Sequence, residues 1–215
     1  MSRREEAKTF NRARICATAE AIIRGEGMDK LTMRRLAEVA GVSLRTPYNL
    51  FGSKTDVLLA LLDEAGFEFA PHQAGDSEAV AIAQLFGGLD RVEAFFASDE
   101  EYYRGIYAAI MTSDHPEVRS TGVGRAVTSA QALVAEAVAH GELSTDTDAE
   151  GLGRHLAIAL LAVLGMWGSG LFSNRESIAQ VRRAWLAVLL QHGSDAAHPG
   201  LAAAYQDLCT PETDR

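Results

Sequence analysis

"GVSLRTPYNLFGSK", residues 41–54, places a proline inside a stretch that otherwise reads as a short helix. Ser43 is a good N-cap, which makes Leu44, Arg45 and Thr46 the first three helical residues and Pro47 the fourth. The first amides of a helix have no intrahelical acceptor, so a proline there removes at most one hydrogen bond. Pro47 therefore fixes where the helix begins; one turn later it would break it.

Upstream, Met33, Leu36, Ala37 and Ala40 give a second short amphipathic helix, with Thr32 placed as its N-cap and Gly41 just past its end. Before that, Ile15, Cys16, Ala19, Ile22 and Ile23 follow the 3.6 period, and Gly25 and Gly27 close the helix. A further helix opens after Ser53 with Val57, Leu58, Leu61, Leu62 and Ala65 on one side. Two short helices joined by Gly41-Val42-Ser43 make a helix-turn-helix, with Ala37, Val42, Tyr48 and Phe51 expected to be buried and to set the crossing angle. Spacing alone leaves DNA binding and a plain structural pair of helices evenly open.

Beyond Pro71 to Gly75 the pattern gives long helical segments, roughly 77–97, 100–113, 117–140, 148–171 and 175–192, and a short one near 200–209, with no convincing strand. Asp99, Pro116, Asp148 and Asn174 sit at plausible helix starts. The expected architecture is all-α: a three-helix DNA-binding head over residues 1–56, a larger helical body over 57–209, and a disordered tail over 210–215. Charge divides along the same line. The net charge of −9 splits into eleven Lys and Arg against seven Asp and Glu in residues 1–56, or +4, and nine against twenty-two in the remainder, or −13. A basic head on an acidic body fits a chain in which only the head meets a polyanion. Cys16 and Cys209 lack the spacing of a disulfide framework or zinc site and read as buried small hydrophobes. The N-terminus has no apolar segment with a cleavage site, so a cytoplasmic location is expected.

"LTMRRLAEVAGVSLRTPYNLFGSKTDVLLALL", residues 31–62, resembles the DNA-binding head of the tetracycline-repressor (TetR) family of bacterial regulators. The match runs without a gap from about Ile15 to Leu62 and includes Thr32, Leu36-Ala37, Ala40-Gly41-Val42-Ser43, Thr46, Tyr48, Phe51 and Lys54. The resemblance implies that Thr32, Tyr48 and Lys54 hold the DNA backbone. Leu44, Arg45, Thr46 and Asn49 lie on or near the exposed side of the recognition helix and are the major-groove candidates, Arg45 for guanine and Asn49 for adenine, and Ser43 is a further DNA-binding candidate. Arg34 is a further base-reading candidate, whereas Arg35 reads as solvated. Leu50 and Met33 depart from the family pattern, each at the expense of a backbone contact, and Pro47 replaces a commoner aliphatic residue.

By the same resemblance the body binds a small effector and dimerises through its last long helices. Phe95, Phe96, Tyr103, Tyr107, Met111, Met166 and Trp167 read as core when taken singly and as candidates for the effector pocket when taken together; His155, on an otherwise apolar helix, reads as a buried histidine and is kept as the polar candidate. The seam of Ile178, Val181, Trp185 and Val188, with Leu160 and Leu164 on the preceding helix, is the candidate dimer interface; an intramolecular core use of that stripe stays open. "LAIALLAVLGMWGSGLF", residues 156–172, is uncharged, but its glycines and lack of basic flanks suit a buried helix better than a membrane span. No nucleophile elbow, HExxH or strand-linked Gly-rich loop is present, so no catalysis, cofactor or metal is expected. The expected function is a homodimeric transcriptional regulator, a repressor that leaves a palindromic double-stranded operator when a small molecule binds. The alternative is a helical ligand-binding or scaffold protein whose head no longer reads DNA.

Overall fold

The computed structural model describes residues 3–65, 81–113 and 116–209. The described chain is all-helical: α1 (Arg3–Glu26), a 3-10 turn (Met28–Lys30), α2 (Met33–Ala40), α3 (Arg45–Phe51), α4 (Lys54–Glu64), α5 (Ala81–Ala97), α6 (Glu100–Met111), α7 (Pro116–Ala139), α8 (Ala149–Gly168), α9 (Asn174–Leu189) and α10 (His198–Cys209). Strand pairing among the described residues is confined to an isolated bridge between Leu143 and Gly193. The junction at 71–75, the helix start at 77–80 and the tail at 210–215 lie outside the described residues. The chain divides into two compact units, one built on α1–α4 with α6, the other on α5 and α7–α10. The sequence-based boundary after residue 56 falls inside α4.

In the first unit Ile15, Cys16, Ala19, Ile22 and Ile23 of α1 are buried with Leu31, Leu36, Val57, Leu58 and Ile106. Each large aliphatic side chain so buried contributes about 1.5–3 kcal/mol. The apolar stripe of α1 starts at Ile15, yet the helix starts at Arg3; residues 5–9 are mostly good helix formers and are exposed. Gly27, at φ 99°, ends the helix, whereas Gly25 stays within it. Burial pushes the Cys16 thiol up to about 12, which keeps it an inert apolar group. Cys209 departs from expectation: it is exposed, at the end of a helix whose buried residue is Leu201. Helix α6 joins this unit through its N-cap Asp99, whose carboxylate accepts from Arg24 Nη1 at 2.6 Å while the same guanidinium lies 4.1 Å from the centre of the Tyr102 ring.

In the second unit α8 and α9 are tied by the buried Trp185 indole, whose Nε1–H donates to the Leu156 carbonyl at 2.9 Å. Asn174 Nδ2 donates to the Glu93 carbonyl at 2.7 Å, linking α9 to α5, and Phe86 meets Trp185 edge-on. Asp148 caps α8, and α9 opens with a capping box in which Ser173 accepts from the Glu176 amide and Glu176 accepts from the Ser173 amide. Helix α7 reaches α8 at Gly153, which lies against the backbone of Gln131. Among the described residues α8 is the helix long and apolar enough to cross a membrane, but Leu152, Leu156, Leu160, Leu164 and Trp167 are covered within the chain.

Candidate nucleic-acid interface

The site is built from two helix starts and one helix end. Thr32 accepts from the Arg35 amide at 3.0 Å, as its place before α2 requires. The far end of α2 closes in a Schellman arrangement: Val42 N–H donates to Ala37 O at 3.0 Å and Gly41 N–H to Glu38 O at 3.1 Å. This needs a left-handed residue, and Gly41 supplies it at φ 62°, ψ 38°. A Cβ at Gly41 would also stand 3.3 Å from Arg14 Nη2. Gly41→Ala is therefore expected to cost about 1–2 kcal/mol from the backbone alone, read as a lowered denaturation midpoint; an unchanged midpoint would contradict the strain argument.

Helix α3 runs Arg45–Phe51, one residue shorter than expected, although Leu44 already has helical torsions of −55° and −30°. Ser43 does not cap through an amide. Its hydroxyl meets the Thr46 hydroxyl at 3.0 Å, and its carbonyl accepts from the Thr46 amide at 2.9 Å. That bond accommodates the proline: with no amide at position 47, the Ser43 carbonyl is still satisfied, by the Thr46 amide. Pro47 is buried, and Leu44, Arg45, Tyr48 and Asn49, at positions i, i+1, i+4 and i+5, form one exposed face. The expected burial of Tyr48 is thus corrected. Pro47 takes the inward position and leaves Tyr48 50% exposed and Leu44 49% exposed. Val42 and Phe51 are half-buried.

Lys54 begins α4 behind the Ser53 cap, which accepts from the Asp56 amide at 3.1 Å. Its Nζ donates to Met28 O at 3.2 Å, and partial burial holds its pKa below the ordinary lysine value while Asp29 acts the other way. Arg34 is exposed and pairs with Glu38 at 3.2 Å, so reaching a base requires it to leave that partner. Arg35 is held by Glu26 at 2.8 Å, with Glu38 3.8 Å away. Met33 is buried, which explains an apolar residue at that position.

Solved structures share this architecture. SmeT, the repressor of the Stenotrophomonas maltophilia multidrug efflux pump SmeDEF, aligns over 86% of this chain and 92% of its own at 20% identity and a TM-score of 0.66. Thermus thermophilus FadR, a TetR-family transcriptional repressor solved with lauroyl-CoA, aligns over 81% and 93% at 20% identity and 0.63. A TetR-family transcriptional regulator from Marinobacter aquaeolei VT8 aligns over 92% and 98% at 13% identity and 0.58. At these identities the likeness is one of fold. No curated protein matches the chain significantly. Residues 15–61, from the packed part of α1 to Leu61 in α4, match the model of the bacterial regulatory proteins of the tetR family. Residues 15–61 form a tetR-family head.

The remaining candidates fall in both units. Phe96 and Trp167 are fully buried with ring centres 4.3 Å apart, and Phe95 meets Phe96 edge-on at 5.5 Å. Tyr103, Tyr107 and Met111 lie on α6, in the unit of the head, where burial pushes the Tyr107 phenol up to about 12. His155, expected to be buried, is exposed beside Arg154 because α8 turns its packed face through Leu152, Leu156 and Leu160. Met166 is 43% exposed on the same open side as Ile158. The candidate dimer seam lies inside the chain. Leu160, Leu164, Ile178, Val181 and Trp185 are all buried within a single chain, and Val188 is half-buried, so this stripe is core.

Proposed function

We propose that the chain is a sequence-specific transcriptional repressor that binds its operator as a homodimer and leaves it when a small molecule binds. The observation that carries this reading is the outward face of α3: Leu44, Arg45, Tyr48 and Asn49 are exposed together on a helix anchored by buried Pro47. Arg45 has the fork that suits guanine, Asn49 the paired donor and acceptor that suit adenine, and Leu44 the apolar surface that suits a thymine methyl. Thr32, Tyr48 and Lys54 would set the register on phosphates, Ser43 and Thr46 would stand beside the reading face, and Arg34 would add a base contact once freed from Glu38. The functional division into a head over 1–56 and a body over 57–209 belongs to the same proposal, as does a cytoplasmic location.

A second copy would meet the open apolar side of α8, where Ile158 and Met166 are exposed, in place of the buried seam. Two heads would then face successive major grooves of a palindromic operator. SmeT was solved in complex with triclosan and FadR with lauroyl-CoA, which supports an effector with substantial apolar surface. Binding to one body conformation shifts the population away from the DNA-competent one, so effector and operator weaken each other by the same factor. The reading is of a binding protein without catalysis, cofactor or metal.

A reporter promoter carrying the preferred duplex tests the function. Expression of the chain is expected to lower its output, and an output that stays level would contradict repression. Lys54→Ala is expected to weaken binding to all sequences alike and to reduce the salt slope by about one counterion. Anisotropy titrations at several salt concentrations check this, and unequal losses between duplexes would contradict a phosphate role.

A further inference from the structure

Two arginines of α1 lie two residues apart and each reaches the end of a different helix of the helix-turn-helix. Arg14 Nη2 donates to the carbonyl of Ala40, the last residue of α2. Arg12 Nη1 donates to the carbonyl of Leu50 in the last turn of α3 at 3.3 Å, and the Arg12 guanidinium carbon lies 4.4 Å from the centre of the Phe51 ring. The final carbonyls of a helix have no intrahelical donor. In α2 the Schellman bonds serve Ala37 and Glu38, and in α3 the Gly52 amide serves Tyr48, which leaves Ala40 and Leu50 to the arginines. A cation at a helix C-terminus is also favoured by the backbone dipoles.

We infer that Arg12 and Arg14 are positioning residues that fix the pose of the recognition helix against α1. This rests on the reading of α3 as the DNA-reading helix. Base readout requires the outward face of α3 to be held to within a fraction of an ångström, and α3 has only seven residues to hold itself. The contacts divide the task. Arg14 pins the turn that launches α3, at the glycine whose missing side chain leaves room for the guanidinium. Arg12 pins the far end, with its guanidinium over Phe51 and its N–H on Leu50. Lysine can supply a donor but not the planar guanidinium. Because both guanidinium groups are turned onto protein carbonyls, their loss acts on the geometry of readout and leaves the phosphate count unchanged.

The test compares the full-length wild type with Arg12→Ala, Arg12→Lys and Arg14→Ala on the preferred duplex and on a scrambled duplex of equal length, across salt concentrations. Amide hydrogen exchange of α3 is measured without DNA. The alanine variants are expected to lose about tenfold in preference for the selected duplex, with affinity for the scrambled duplex and the salt slope unchanged. Exchange across α3 rises while that of α8 and α9 holds, and Arg12→Lys falls between wild type and Arg12→Ala. Equal losses on both duplexes with a shallower salt slope would make these arginines phosphate contacts and overturn the inference, as would unaltered preference and exchange. Exchange raised uniformly through the chain would reduce them to general stabilisers. If the wild type selects no duplex, the DNA reading itself fails, and the exchange data alone then decide whether the arginines hold α3.

Discussion

Arg45→Ala is expected to cost about 1–3 kcal/mol on the preferred operator and to relax the sequence preference at the base pair it reads. Arg45 opens α3 on its exposed face, with Asn49 one turn further along the same side. An arginine there can offer two parallel N–H donors to a guanine edge, and truncation removes both while leaving the helix and its buried proline intact. Fold stability is expected to stay within about 0.5 kcal/mol, because the lost side chain is exposed. The measurement is a pair of titrations, one against the preferred duplex and one against duplexes altered at a single position. Unchanged affinity and unchanged preference would remove Arg45 from base readout.

Gly153→Ala is expected to destabilise the body by about 3 kcal/mol, at the upper end of the usual overpacking range. A Cβ at this position would stand 2.5 Å from Gln131 Cα and 2.6 Å from Gln131 N. Both are backbone atoms, so no side chain can swing aside; α7 and α8 would have to separate. The small residues Ala126, Ala130 and Ala157 pack together in this part of the body, with Val127 and Leu161 against them, and depend on the same close approach. Gly124→Ala is the control, since its Cβ would meet nothing within 4 Å. In a helix interior that change is expected to stabilise by about 0.5–1 kcal/mol. Denaturant unfolding of both variants checks the pair, and equal midpoints would contradict the packing argument.

How much of this was legible in the sequence follows from the range of each interaction. Thr32, Gly41, Ser53, Asp99 and Asp148 act on amides or carbonyls within three or four residues, so their roles follow from local order, and the structure bears them out. The exposed face of α3 was readable from its i, i+4 spacing, apart from Tyr48, where Pro47 took the inward place. The stripe of Ile178, Val181 and Trp185 was readable as a covered face, but periodicity does not say what covers it. Its partners include Leu156 on α8 and Phe86 on α5, far away in the chain. His155 was misplaced for a related reason: an apolar helix still has an open side. Arg12 and Arg14 left no local signal, because their acceptors lie 38 and 26 residues away.

The most direct measurement of the central claim is selection of bound duplexes from a random DNA library by the purified full-length protein, followed by salt titration of the winner and of random duplex. A palindromic winner bound far more tightly than random DNA is expected, with two chains on each duplex. Weak, steeply salt-dependent binding with no enriched sequence would contradict a DNA-reading head and leave the helical body as a ligand-binding scaffold.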